Sequence, residues 1–374
     1  MTWPGAGAIA IEVDVADGRV GSVAVRSSRP LGLTRHFVGR AAAETPLLAR
    51  RIYTLCAQAQ GAAASGAVAR ASGRAIEDRE RCAAAFSVLS ERAFETMRAC
   101  VVGWPWTGGA DAVAGRAGGA LKEAALATRA LLEGAASGLQ RARREALLAP
   151  HARLVAAAEA LGVPQAPDAA PPADTAFGAI FRQCERDEAF APGPPDSLTR
   201  ADDSAVVAAL RGDPLGFAAR PALPGRRLET GAYARLWRRL PPGRGILSAR
   251  LAARLLDIRQ ALTAVGQGLH LGELECDDVL AAGPTGANSG FAAVESARGR
   301  LYHCAEIGPD ERISAYGIVA PTEWNFHAAG PFAAGLLGGR VGDGEAARLA
   351  AARLASLFDP CVAFDVTLKE PARA

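Results

Sequence analysis

Apolar and polar residues alternate from Ile9 to Val25, with Ile9, Ile11, Val13 and Val15 in one run and Val20, Val23 and Val25 in the next. A period of two turns one face of a strand toward a core. Ala16-Asp17-Gly18-Arg19 separates the runs, and Asp-Gly in that position predicts a β-hairpin. From Thr45 to about Cys100 the period becomes helical. Pro46 suits a first helical turn, and Leu47, Leu48, Arg51, Ile52 and Leu55 follow at helical spacing. Glu77 to Cys100 reads as a second long helix, stopped ahead of Trp104-Pro105. Val113 to Leu161, rich in Ala, Leu, Arg and Glu, reads as one or two more helices.

Pro164, Pro167, Pro171 and Pro172 make residues 162–173 an exposed loop or linker, and Ala191 to Pro195 is a second break. Helical spacing returns from Ser204 to Arg211 and, strongly, from Ile246 to Leu269. Residues 281–299 read as glycine-rich and irregular. Arg300–Ile307 and Arg312–Ala320 read as two strands around the turn Gly308-Pro309-Asp310-Glu311. The last helix spans Gly344 to Leu357, ahead of Asp359-Pro360, and no internal repeat is visible. The expected fold is mainly α with a small β part, one large α+β domain over residues 1–374. Its β part is an N-terminal hairpin and a C-terminal β pair.

Composition narrows the function classes. A chain of 374 residues, 50% hydrophobic and 22% charged, can build a large core without staples. The net charge of +3 is too small for a nucleic-acid footprint. Lys122 and Lys369 are the only lysines, so nearly all positive charge is Arg. No apolar run is long enough for a membrane span, and Met1 to Ala10 lacks the basic start of a secretory signal. The seven cysteines, Cys56, Cys82, Cys100, Cys184, Cys276, Cys304 and Cys361, are scattered and form no CxxC pair. That usage fits reduced thiols in a cytoplasmic protein better than a disulfide framework.

Two cysteine segments lie near the ends of the chain: Arg51-Ile52-Tyr53-Thr54-Leu55-Cys56-Ala57-Gln58-Ala59-Gln60 and Asp359-Pro360-Cys361-Val362-Ala363-Phe364-Asp365-Val366-Thr367. Each alone is a weak signal. Together they resemble the two metal motifs of the nickel–iron hydrogenase large subunit, R-x-C-G-x-C-x-x-x-H and D-P-C-x-x-C-x-x-H. Gly39-Arg40 with Pro46 and Arg51, Glu229 to Arg235, Glu295-Ser296-Ala297-Arg298-Gly299 and Pro321-Thr322-Glu323-Trp324-Asn325 resemble further segments of that family, in its order. Residues 105–225 carry no such match. The resemblance implies a large-subunit-like helical core.

The departures are concentrated on the metal ligands. Tyr53 and Phe364 stand where two of the family's four cysteines belong, and Gln60 and Thr367 replace its two histidines. Thr34, in Leu31-Gly32-Leu33-Thr34, stands where active hydrogenases carry a proton-relay Glu. No counterpart of the enzyme's cleavable tail is evident. Two thiolates cannot reproduce a four-thiolate nickel site. They can hold an iron that already carries carbonyl and cyanide ligands. The pattern resembles the HupK/HoxV type of hydrogenase assembly protein, which implies a non-catalytic scaffold for the Fe(CN)2(CO) unit, without nickel. On that resemblance Cys56 and Cys361 are the metal ligands, and Arg298, Thr322 and Asp359 contact or orient the bound unit. Implied partners are the HypC/HypD-type iron-delivery complex and the hydrogenase large-subunit precursor. A metal-free chaperone and a degenerate hydrogenase remain alternatives. Cys56 matches a bridging position and Cys361 a terminal nickel ligand, so iron held by both sits displaced from its place in the enzyme.

Other polar residues have plainer readings. Asp359 caps or orients the Cys361 turn, Arg298 could serve as an ion-pair partner, and Thr322 could satisfy a turn. His303 and Cys304 point to opposite faces of a strand and make no joint site. His36, His151, His270 and His327 show no ligand spacing. Asp277-Asp278 reads as solvated, and Gly283 to Gly290 is no phosphate loop.

Overall fold

Strands β1 (Ala8–Ala16) and β2 (Arg19–Ser27) form the hairpin that the alternation predicts, with Ile11 opposite Val25 and Val13 opposite Val23. Asp17 and Gly18 both take positive φ, 51° and 70°, as a tight turn of matching twist requires. The computed structural model describes residues 7–369 other than 31, 108–110, 137, 167, 168, 187, 188, 191, 192, 244 and 273. Pro167, the start of the second break at Ala191, Leu31, most of the N-terminal segment read for a signal and the chain end after Lys369 lie outside those residues.

Helix α1 (Thr45–Ile52) carries Pro46 in its first turn and stops at Tyr53; a 3-10 turn over Thr54–Cys56 leads into α2 (Ala57–Ala71). The expected helix through Leu55 is therefore broken, and Cys56 falls at the break. Next come α3 (Asp78–Val102), capped reciprocally by Glu77 and Glu80, then α4 (Asp111–Ala135), α5 (Arg141–Leu161) and α6 (Ala176–Glu185). The segment with no family match carries β3 (Asp196–Ser197), α7 (Asp203–Gly212) and α8 (Gly216–Ala219). Then follow β4 (Leu228–Glu229), α9 (Ala232–Leu236) and α10 (Ile246–Leu271). Buried α10 packs against α3, α5, α6, α9 and α13 (Gly344–Phe358). The proline-rich loop is not simply exposed: Val163 is buried, and Arg259 of α10 donates to the Pro164 carbonyl at 2.8 Å.

The β part is larger than expected. β5 (Leu280–Gly286) and β6 (Ser289–Ser296) occupy the stretch read as irregular, and pair with β7 (Gly299–Ile307) and β8 (Ile313–Val319) in one antiparallel sheet. The glycines there serve contact rather than irregularity. Helix α2, lined by Ala and Gly, lies directly on this sheet. A Cβ on Gly290 would meet backbone atoms of α2 at 2.4–2.7 Å. After α11 (Pro321–Phe326), α12 (Pro331–Leu336) and α13, strand β9 (Ala363–Leu368) joins β1 in parallel, with Phe364 opposite Ile9 and Val366 opposite Ile11. This third strand of the hairpin sheet was not evident from the sequence. Helices make up more than half of the described residues and strands about a sixth. No helix among the described residues is long and apolar enough to cross a membrane.

The matched motifs turn out to hold this frame. Arg300 donates to Asp203 at 2.7 Å and to Glu295 at 3.0 Å, while Arg235 bridges Glu295 at 2.8 Å and Asp257 at 2.9 Å. Asn325 accepts from Thr230 N at 3.1 Å and donates to its carbonyl at 2.9 Å. His303 of β7 is fully buried and faces α2, while Cys304 packs on the other side of the sheet with Val206 and Leu210.

Two expectations follow. Gly290→Val forces α2 off the sheet and should cost on the order of 3 kcal/mol in denaturant unfolding, whereas Gly118→Ala, with open space at its Cβ, should gain about 1 kcal/mol. Burial holds His303 down to about 3. Between that value and about 6.5 the unfolded chain takes up a proton that the native state refuses. Stability therefore falls as pH drops through this window, by up to about 1.4 kcal/mol per pH unit. Unfolding curves of the protein and of His303→Gln should differ in slope by that amount between pH 6 and 4; parallel curves would show that His303 titrates normally.

Candidate functional site

Cys56 sits at the N-terminus of α2, with φ −146° and ψ 42°. No side chain on its own helix caps that end. Glu91 of α3 does so from across the site, accepting from Gln58 N at 2.7 Å and Ala59 N at 3.0 Å. A carboxylate there satisfies orphan amides and matches the helix dipole. Burial pushes Glu91 up to about 7, against the pull of those two amides and of Arg298. Burial also pushes the half-buried Cys56 thiol up to about 12, with Glu91 adding and Arg298 opposing. Gln60 Nε2 donates to Cys56 Sγ at 3.7 Å.

Cys361 reaches the same place from the other end of the chain. Helix α13 closes on Asp359 in the left-handed conformation at φ 56°, which a short polar side chain tolerates, and Pro360 forbids another helical turn. Cys361 N donates to Thr322 Oγ1 at 3.2 Å, and the Thr322 hydroxyl donates to Cys361 Sγ at 3.3 Å. Asp359 accepts from Arg254 at 2.7 Å. Asp359 thus ends α13 at the turn that carries Cys361, and Thr322 hydrogen-bonds the cysteine directly. The two cysteines are near enough that a charge on Cys361 raises Cys56 further.

Arg298, in the β6–β7 turn, is 5% exposed and lies within electrostatic reach of both cysteines. Its contacts are all long: Leu55 O at 3.4 Å, Glu95 at 3.4 Å and Asp359 at 3.5 Å. Its buried Nε has no hydrogen-bond partner. Burial works against its charge, but Asp359, Glu95, Cys361 and Cys56 outweigh it and hold it firmly protonated. A second cation, Arg29, is ion-paired with Glu323 and lies within electrostatic reach of Cys361 and Tyr53. Tyr53 and Phe364, at the positions of the absent cysteines, pack against the main core instead.

The structure therefore gathers all five residues singled out from the sequence. It adds Arg29, Glu91, Glu95, Gln60 and Glu323. Glu91 and Glu95, one turn apart on the buried face of α3, were the visible signal: charges there need partners. Arg29 gave none. Among the described residues no three of His, Cys, Asp and Glu gather as a metal site. Cys82 and Cys276 lie together elsewhere, Sγ to Sγ 3.5 Å, with both thiols also facing the Leu274 carbonyl, at 3.8 and 2.9 Å. Two thiols beside an underpaired buried guanidinium suit a soft metal that brings anionic ligands of its own. Thiolate binding releases the protons that burial retains.

The model of the family described as nickel-dependent hydrogenase matches residues 244–366. Solved structures share the fold. The Ni-Fe-Se hydrogenase of D. vulgaris Hildenborough aligns with TM-score 0.66 at 17% identity, over 94% of this chain and 95% of that one. An NAD+-reducing [NiFe]-hydrogenase aligns with TM-score 0.63 at 17% identity, over 93% and 94%. The hydrogenase expression/formation protein HupK of Rhizobium leguminosarum bv. viciae is 48% identical over 99% of both chains. HupK of Bradyrhizobium diazoefficiens is 32% identical over 98% of both. HoxV of Cupriavidus necator is 33% identical over 51% of both. With near-complete coverage at that identity, on a hydrogenase large-subunit fold, the chain belongs to the HupK family of hydrogenase expression/formation proteins.

Proposed function

We propose that this protein serves hydrogenase maturation as a non-catalytic scaffold, holding an Fe(CN)2(CO) unit between Cys56 and Cys361 as cargo. The observation that carries the reading is Arg298, a buried guanidinium with no short contact at any nitrogen: Nε has no hydrogen-bond partner and meets Asp359 only at 3.5 Å, and the amino nitrogens reach Leu55 O and Glu95 only at 3.4 Å. Burying an underpaired cation is costly. A cyanide nitrogen supplies the short-range acceptor that this guanidinium lacks, in a charge-assisted hydrogen bond. The iron brings three ligands, so two thiolates go far toward completing its shell. Thr322 supports the site by holding Cys361, because its one hydroxyl proton already goes to that sulfur.

The names of the relatives, hydrogenase expression/formation proteins, support a place in maturation. On this reading an iron-delivery complex of the HypC/HypD type loads the site and the large-subunit precursor empties it, in the cytoplasm, where thiols stay reduced. Tyr53 and Phe364 leave nickel without two of the thiolates it needs, so no stoichiometric nickel is expected.

Protein isolated from its own host should show carbonyl and cyanide infrared bands and iron without nickel. Cys56→Ala and Cys361→Ala should each remove most of the iron and both sets of bands, at a stability cost on the order of 1 kcal/mol. Cys304→Ala, on the far face of the sheet, should change neither. Bands that survive the double variant defeat the thiolate assignment. Absence of bands from the unaltered protein favours a metal-free chaperone, and near-equimolar nickel favours a degenerate hydrogenase.

Arg298→Leu should shift the cyanide stretches more than the carbonyl stretch, because cyanide nitrogen is the better acceptor. Cyanide bands that stay in place would put the guanidinium outside the cargo's reach.

A further inference from the structure

A continuous buried hydrogen-bond chain leads away from Cys56. Gln60 Nε2 faces Cys56 Sγ at 3.7 Å, Gln60 Oε1 lies 2.8 Å from His303 Nε2, and His303 Nδ1 lies 2.7 Å from Tyr316 Oη. Gln60, His303 and Tyr316 are all buried, at 2%, 0% and 5% exposure. The chain crosses from α2 to β7 to β8, and no residue of it beyond Gln60 lies in either cysteine segment.

Two polarities satisfy the inner bonds. In one, Tyr316 donates to Nδ1, Nε2–H donates to the Gln60 carbonyl, and the Gln60 amide donates to sulfur. In the other, all three bonds reverse: Nδ1–H points at Tyr316, the Gln60 amide donates to Nε2, and its carbonyl faces sulfur. Tyr316 decides between them. Its buried hydroxyl has His303 as its only hydrogen-bond partner among the described residues. Reversal leaves that O–H proton without an acceptor, and an unmade buried hydrogen bond costs the full desolvation of the group. His303, neutral because burial holds it near 3, must keep one ring nitrogen as acceptor.

We infer that Tyr316, His303 and Gln60 are positioning residues for Cys56: Tyr316 fixes the His303 tautomer, which fixes the Gln60 amide so that an N–H always faces the sulfur. A metal-bound thiolate is an acceptor and is stabilised by that N–H; a carbonyl in its place would repel it. The inference rests on the proposed reading of Cys56 as an iron ligand, but the bond polarity is testable without iron. Phe37 stacks on Tyr316 with ring centroids 4.5 Å apart, a contact that Tyr316→Phe retains, so this variant changes the hydroxyl alone.

Nitrogen-15 spectra of histidine-labelled, iron-free protein should show His303 as a single neutral Nε2–H tautomer, and Tyr316→Phe should show both tautomers. A Nδ1–H tautomer in the unaltered protein, or an unchanged single tautomer in the variant, overturns the inference. In iron-loaded protein, Gln60→Met removes the N–H at similar side-chain length. The thiolate then donates more electron density to iron, so the carbonyl stretch should move to lower wavenumber and iron retention should fall about tenfold, the scale of one hydrogen bond to a charged group. Tyr316→Phe should shift the band the same way by less. An unmoved carbonyl band in both variants overturns the inference. If the unaltered protein carries no such band, the scaffold reading fails, and the tautomer spectra still decide the chain's polarity.

Discussion

The buried Arg298 guanidinium is the constraint around which the site is organised. Glu95 comes from α3, Asp359 from the end of α13, and the Leu55 carbonyl from the turn that delivers Cys56. A charge buried this deeply has to be surrounded by opposite charge or dipoles. Satisfying it therefore fixes four distant segments of the chain against one another. None of the three contacts is short, so the guanidinium is held in place without being saturated. In an ordinary structural ion pair such as Arg250–Glu229 the Nε is also without a hydrogen-bond partner, but both amino nitrogens make short bonds, at 2.8 and 2.9 Å, as no nitrogen of Arg298 does.

The rest of the frame meets the demand that the two chain ends converge. β9 lies in parallel beside β1, which carries the C-terminal segment back to the N-terminal hairpin. α2 must lie close on the four-stranded sheet for Gln60 to reach His303, and only Ala and Gly at that interface allow it. The polar motifs around Glu295, Arg300, Asp203 and Arg235 then lock the sheet to the α7, α9 and α10 helices. These charges are more tightly paired than Arg298, each at 3.0 Å or closer, although Arg235 Nε also lacks a hydrogen-bond partner. Structural and site charges are therefore told apart here by the length of their contacts, 2.8–2.9 Å for Arg235 and Arg250 against 3.4–3.5 Å for Arg298.

Local signals made much of this legible. The Asp17-Gly18 turn, the long periodic helices ending near Val102, Leu161 and Leu271, and the stop at Asp359-Pro360 all stand where periodicity and turn chemistry put them. What escaped depends on distance. β5 and β6 are rich in Gly, Ala and Ser, which weaken alternation, and their identity comes from α2 pressing on them. β9 is short and acquires its partner from the opposite end of the chain. The site residues gathered from the motifs do come together, but the capping of α2 by Glu91 is a contact across 33 positions that no window of sequence contains.

The replacements at the lost ligand positions carry a direction. Tyr53 and Phe364 fill with packed aromatic surface the places where further sulfur would stand. An aromatic ring offers an incoming metal no lone pair of comparable strength, and both rings are partly buried against the core. The site is thereby limited to two thiols, each half-buried, and Cys56 is protonated in the absence of a ligand. Any metal fragment bound here trades against the protons that burial restores on release. On the scaffold reading, a partner with four thiolates would hold the fragment by more bonds, and reprotonation would oppose its return. Transfer then runs one way without an added energy source, because the donor site was stripped of ligands while its second thiolate, its cation and its hydrogen-bond donors were kept.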